Sequence, residues 1–120
     1  MTTRRSHRRR GASFETDVTE YLRDLGLTAE RLHLAGRLDE GDVSVASKYG
    51  FEVLECKAPG VDGKINLTGW VREAHLEAGH YAAARRLDPL TVNGLVVIKA
   101  RSKPIREAFV VTTLESYFGS

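Results

Sequence analysis

The stretch DVSVASKYGFEVLECKA, residues 42–58, constrains the fold more than any other part of the chain. Apolar and polar side chains alternate through DVSVAS and again through FEVLECKA, with the short turn KYG between them. That is the pattern of a β-hairpin with a buried face. Side chains alternate along a strand, so Glu55 and Lys57 share one face while Cys56 points to the other. Such a pair inside a buried strand has two readings: a same-face ion pair on a solvated edge, or a metal-binding carboxylate beside a catalytic amine. The hairpin also brings Asp42, at the head of its first strand, to about the same distance from the turn as Glu55. Two carboxylates converging there suit a hard, oxygen-preferring cation such as Mg2+ or Mn2+, whose shell is completed by water and phosphate oxygens. A lysine alongside would stabilise negative charge at phosphorus or position an attacking water.

The flanking segments supply the rest of a layered domain. GASFETDVTEYLRDL, residues 11–25, spaces Phe14, Val18, Tyr21, Leu22 and Leu25 by three and four, an amphipathic helix that Gly26 ends. LTAERLHLAG alternates in part and forms a short first strand, followed by the acidic turn RLDEG. PGVDGKINLTG is a loop. A second helix is expected from Trp70 to about Leu87, capped by Thr68, with Val71, Ala74, Ala78, Tyr81 and Ala82 on one face. GLVVIKA is a buried strand, RSKP a basic turn, REAFVVTT a further strand and LESYF a closing helical turn. The order helix, three strands, helix, two strands describes an α/β chain, a mixed sheet with helices packed on it.

At 120 residues the chain has room for one core. It shows no apolar run near the roughly 20 residues of a membrane-spanning helix and no secretory pattern at its basic N-terminus. The single cysteine, Cys56, has no internal disulfide partner and fits a reducing cytoplasm. The four histidines have no paired zinc-ligand spacing with it. Charge is unevenly distributed. Arg4, Arg5, Arg8, Arg9 and Arg10 lie in the first ten residues, leaving 13 basic against 16 acidic residues in the remainder. A flexible basic arm over residues 1–10 on a mildly acidic domain over 11–120 points to phosphate contact, with a solubilising tail as the plainer reading.

Asp42 followed by Glu55-Cys56-Lys57 resembles the D…ExK core of the PD-(D/E)XK nucleases. RGASFE, residues 10–15, resembles the opening helix of the archaeal and phage Holliday-junction resolvases, and AGRLDEGDVSV resembles the glycine-containing loop before their catalytic aspartate. The resemblance implies a restriction-endonuclease-like core and a homodimer that cuts four-way DNA junctions with Mg2+ or Mn2+, leaving a 5′-phosphate. It implies that Asp42, Glu55 and the Cys56 carbonyl hold the metal, that Glu15 assists from the first helix, and that Lys57 acts beside them. The proline usual before the aspartate is Gly41 here, and Asp39 and Glu40 compete with Asp42 as ligands. Asp42 is preferred because it leads directly into an alternating strand. A host cytoplasm is implied if the chain is phage-encoded.

Other residues carry weaker signals. Without the resemblance, Glu15 is an ordinary first-turn acid complementing a helix dipole. His75 and His80 point to different helix faces, and Trp70 is a core anchor before it is a base-stacking residue. Lys64, Lys99, Arg101, Lys103 and Arg106 are candidate phosphate contacts through their clustering near the basic turn. Three rival readings stand beside the resolvase: a nuclease of the same superfamily acting on flapped or other branched DNA, a non-catalytic DNA-binding module, and an acidic-faced interaction domain.

Overall fold

The computed structural model describes residues 4–32 and 39–119, with side chains from residue 13 onward. The first helix, α1 (Arg4–Asp24), begins at Arg4 rather than at Gly11. Arginine is a strong helix former and no proline interrupts residues 4–10, so the helix continues from its packed turns into the basic segment. The stretch read as a flexible arm is therefore helical from Arg4. The side chains of Arg4, Arg5, Arg8, Arg9 and Arg10 lie outside the described set. Gly26 ends α1 at φ +90°, where its N–H bonds the Arg23 carbonyl at 2.9 Å and Leu27 N–H bonds the Leu22 carbonyl at 3.1 Å. This paired closure satisfies carbonyls of the last turn and favours glycine at the left-handed position. Leu25, expected on the buried face, lies past the last helical residue and is exposed.

Five strands make one sheet in the order β1 (Thr28–Arg31), β2 (Val43–Ser47), β3 (Gly50–Lys57), β4 (Val92–Ile98), β5 (Phe109–Val111). Neighbours run antiparallel except β3 and β4, which are parallel and joined by α2 (Leu67–Ala84). The hairpin register pairs Val43 with Leu54 and Ser47 with Gly50, and Asp42 lies just beyond the last pair, its N–H bonded to the Leu54 carbonyl. The expected tail of β1 and the RLDEG turn fall partly on residues 33–38, outside the described residues. The last strand is shorter than REAFVVTT, because residues Ile105–Glu107 form a 3-10 turn after Pro104. A short helix, α3 (Leu114–Phe118), follows it.

Alternation along β3 sends Leu54 and Cys56 to one face and Val53 and Glu55 to the other. On the first face, Phe14 and Val18 of α1 pack with Val43, Val45, Leu54, Cys56 and Val97. On the second, α2 packs Ala78, Tyr81 and Ala82 against Val53 and Val92, and Val71 and Ala74 against Val96 and Ile98. The approach there is close: a Cβ on Gly94 would overlap the Ala74 carbonyl. Asn66, not Thr68, caps α2, its side-chain oxygen accepting from Gly69 N–H at 3.0 Å. Asparagine places that acceptor one residue before the first helical turn, so the helix starts at Leu67, ahead of the expected Trp70. Each apolar α2 position expected inside is buried, and one acidic residue, Glu77, is buried among them.

Candidate functional site

The site lies where the open end of the β2–β3 hairpin meets α2. Asp42 is anchored by its backbone and its side chain together. Its N–H donates to the Leu54 carbonyl at 2.9 Å, and its Oδ2 accepts from Cys56 N–H at 2.7 Å. That second bond crosses the hairpin and puts the Asp42 carboxylate beside Glu55. Gly41 makes the approach possible: at φ +100° its N–H donates to Asp39 Oδ1 at 2.9 Å. A proline there would lack the N–H and is locked near φ −65°, so the turn as built takes glycine where the resemblance implies proline.

Glu55 is 6% exposed and faces α2, where its Oε2 has no hydrogen-bond partner. Lys57 Nζ lies 3.7 Å from Glu55 Oε1 and 3.4 Å from Glu73 Oε1, with the Trp70 ring 5.6 Å away. Glu55 and Lys57 therefore share a face, and that face is enclosed by α2 rather than solvated. Four residues beyond Glu73, Glu77 is 3% exposed, and its Oε2 also lacks a partner. Asp39, Glu55 and Glu77 each offer a carboxylate oxygen within 4.8 Å of the others. Glu40, the other competing ligand, instead pairs with Arg85 at 3.1 Å.

Crowded carboxylates resist ionisation. Burial, then the charge of Glu55, pushes Asp42 up to about 8. Burial, then Glu77, pushes Glu55 to about 9, and burial raises Glu77 to about 7. Burial alone would lower Lys57, but Glu55 and Glu73 outweigh it and hold the amine above its ordinary value, so it stays cationic. Burial pushes the Cys56 thiol upward, which removes it as a nucleophile.

The remaining sequence candidates divide. Glu15 contributes to the field on Asp42, but its own Oε2 is held by Arg31 at 2.8 Å. Lys99 N–H donates to the Lys57 carbonyl at 2.9 Å, so this lysine leaves β4 beside the site. Lys99 and Arg101 line a groove with Val61, Ile65 and Phe109, and Lys64 is exposed in the same loop. Lys103 is exposed in the following turn. Arg106 lines a different groove with Val18 and Leu22, on the sheet face opposite Glu55. His75 bonds Ser116 at 3.1 Å, whereas His80 Nδ1 meets the Asp39 carbonyl at 2.8 Å, so the two histidines do serve different faces. Trp70 packs against the core cluster of Val71, Ala74, Val96 and Ile98.

Glu77 had no place in the sequence-level site. Its signal was available: it sits between Ala74 and Ala78 on a stripe that runs on to Tyr81, an acid at an inward helical position.

The fold is a mixed sheet with α1 on one face and α2 on the other. The solved structure of Hjc, a Holliday junction resolvase of the hyperthermophilic archaeon Archaeoglobus fulgidus, shares it. The match covers 84% of this chain and 87% of that one, with a TM-score of 0.51 and 17% sequence identity. No protein-family model matches the chain, and no curated protein matches it in sequence.

Proposed function

We propose that this protein is a metal-dependent endonuclease of branched DNA, with the four-way junction as its preferred substrate. The observation that carries the reading is the pairing of Asp42 with Glu55 across the hairpin, Lys57 beside them, on a fold similar to that of a Holliday junction resolvase. The donor set fits a hard divalent cation. Two buried carboxylate oxygens, Glu55 Oε2 and Glu77 Oε2, lack partners, and among the described residues Asp39 offers a third carboxylate within 4.8 Å of both side chains.

Asp42, Glu55 and the Cys56 carbonyl would hold Mg2+ or Mn2+, with Glu15 assisting from α1. When bound, the cation supplies Lewis acidity toward a phosphodiester oxygen and lowers the pKa of water. The protein's own groups do the rest. The Cys56 N–H fixes the Asp42 carboxylate, and Glu73 holds the Lys57 amine near Glu55. The protonated amine neutralises charge developing on the scissile phosphate, an electrostatic role that needs no proton transfer from lysine. Water would attack phosphorus in line, losing its proton to solvent, as the P–O3′ bond breaks and the 3′-oxygen takes a proton from solvent, giving 5′-phosphate and 3′-hydroxyl ends. Lys99, Arg101 and Lys64 would grip the backbone on the site's side, with Lys103 and the arginines at positions 4, 5, 8, 9 and 10 extending the grip; Arg106, on the opposite sheet face, would contact DNA only from that side. Two copies related by a two-fold axis would match the two equivalent strands of a junction.

A gel assay with labelled four-way junction, flap and linear duplex, each with Mg2+ and with EDTA, tests this. Cation-dependent paired incision of the junction is the expected result. Preferential cutting of the flap would transfer the activity to another branched substrate, and binding without cutting would identify a non-catalytic module.

A further inference from the structure

We propose that Glu77 and Asp39 join Glu55 as ligands of a divalent cation, so that α2 and the turn before β2 supply carboxylates to the metal site. The proposal deepens the nuclease reading and rests on it for what the cation does. Glu77 is almost fully buried on the apolar stripe of α2, where a hydrocarbon side chain would otherwise pack. Burying an ionised carboxylate without a partner is strongly unfavourable. No lysine, arginine or histidine among the described residues forms an ion pair with it, since Lys57 reaches only Glu55 and Glu73. Among the described residues, then, no positive side chain balances this carboxylate.

The other two donors are set to meet it. Glu55 Oε2 is buried and unpartnered. Asp39 is exposed, which leaves an approach from solvent, yet it is held on both sides of its Cα. Its carbonyl meets His80 Nδ1 at 2.8 Å, and its Oδ1 accepts from Gly41 N–H at 2.9 Å. Oxygens on opposite sides of a cation bound at about 2.1 Å lie about 4.2 Å apart, so the 4.8 Å span closes with a small side-chain adjustment. Glu15 is less available, its carboxylate already paired with Arg31. Three carboxylates with no nitrogen or sulfur donor select Mg2+, Mn2+ or Ca2+ over Zn2+ or Cu2+. The competing arrangement is a proton shared between Glu55 and Glu77, which needs no cation and does not involve Asp39.

Mn2+ titrated into the full chain without DNA, followed by electron paramagnetic resonance and calorimetry, separates the two. Glu77→Gln and Asp39→Asn should each weaken Mn2+ binding at least tenfold while melting no lower than wild type in cation-free buffer. Affinity within twofold of wild type in both variants, or no Mn2+ uptake by wild type at millimolar concentration, overturns the ligand set. Should Glu77→Gln fail to fold, the exposed Asp39→Asn variant decides alone. A wild type that cuts DNA while both variants bind Mn2+ normally refutes these ligands and leaves the nuclease standing. A wild type that takes up Mn2+ through Asp39 and Glu77 but cuts no DNA supports the ligands and refutes the nuclease.

Discussion

Gly41 shows how one backbone angle supports the chemistry next to it. At φ +100° an added Cβ would also press on Val53 Cγ1 at 2.5 Å, so the turn into β2 has no room for a side chain. A non-glycine residue at positive φ costs roughly 1–2 kcal/mol before any crowding is counted. Gly41→Ala should lower the melting temperature by several degrees and reduce cleavage more than DNA binding, because Asp42 is the next residue; calorimetry and a gel shift measure the two effects. Asp42→Asn probes the carboxylate itself. The amide keeps the side chain's size but loses its charge, so cleavage should fall more than about 100-fold. Junction affinity should stay near wild type, because binding rests on lysine and arginine interactions with phosphate. Near-wild-type cutting by Asp42→Asn would remove it from the site.

Among the elements, α1 and α2 differ in how far the sequence exposed them. The inward spacing of α1 was plain from Phe14 through Leu22, and Gly26 marked its end, but the apolar spacing that located the helix does not extend into RRSHRRR. The turns over the basic segment carry no apolar stripe, so periodicity gives no signal for them. Deleting residues 1–9 should weaken DNA binding and flatten its dependence on salt, by at most roughly 0.9 in the log–log slope for each phosphate no longer neutralised. Isotherms at several salt concentrations measure that slope, and an unchanged slope would mean these arginines do not touch the backbone. On α2 the apolar stripe was legible and Glu77 was not. Helical spacing places a residue on a face without saying what lies across from it, and that depends on the parallel β3–β4 pairing α2 spans. The choice between Asp39 and Asp42 was open for a similar reason: both oxygens approach Glu55 through a turn whose geometry depends on Gly41. The convergence of Asp42, Glu55 and Lys57 followed from alternation and hairpin register, the shortest-range rules available.

For the whole molecule, the acidic cluster links stability to pH and, on the proposed function, to cation. Asp42, Glu55 and Glu77 bind protons more tightly folded than unfolded, with values of about 8, 9 and 7 against ordinary values of 3.8, 4.5 and 4.5. The folded state therefore holds more protons between these limits. Their stabilising contribution is complete below about pH 4 and is lost as pH rises to about 9. The cation-free protein should melt at progressively lower temperature from pH 5 to 9, at about 4 °C per kcal/mol for a chain of this size. Mn2+ should restore more stability at pH 8.5 than at pH 6, which melting curves at both values would reveal. A two-fold dimer has its own signature. Wild type co-refolded with excess Glu55→Gln should nick a cruciform plasmid to open circles, whereas wild type alone yields linear product; a monomer by sedimentation would rule out paired sites. The most direct measurement is single-turnover cleavage of a labelled four-way junction by wild type and by Glu55→Gln, prepared side by side and assayed in Mg2+ and in EDTA. The account predicts incision by wild type with Mg2+ alone, and binding without incision by Glu55→Gln. Equal cutting by both proteins, or no cutting of any branched DNA by wild type with Mg2+ or Mn2+, would contradict it.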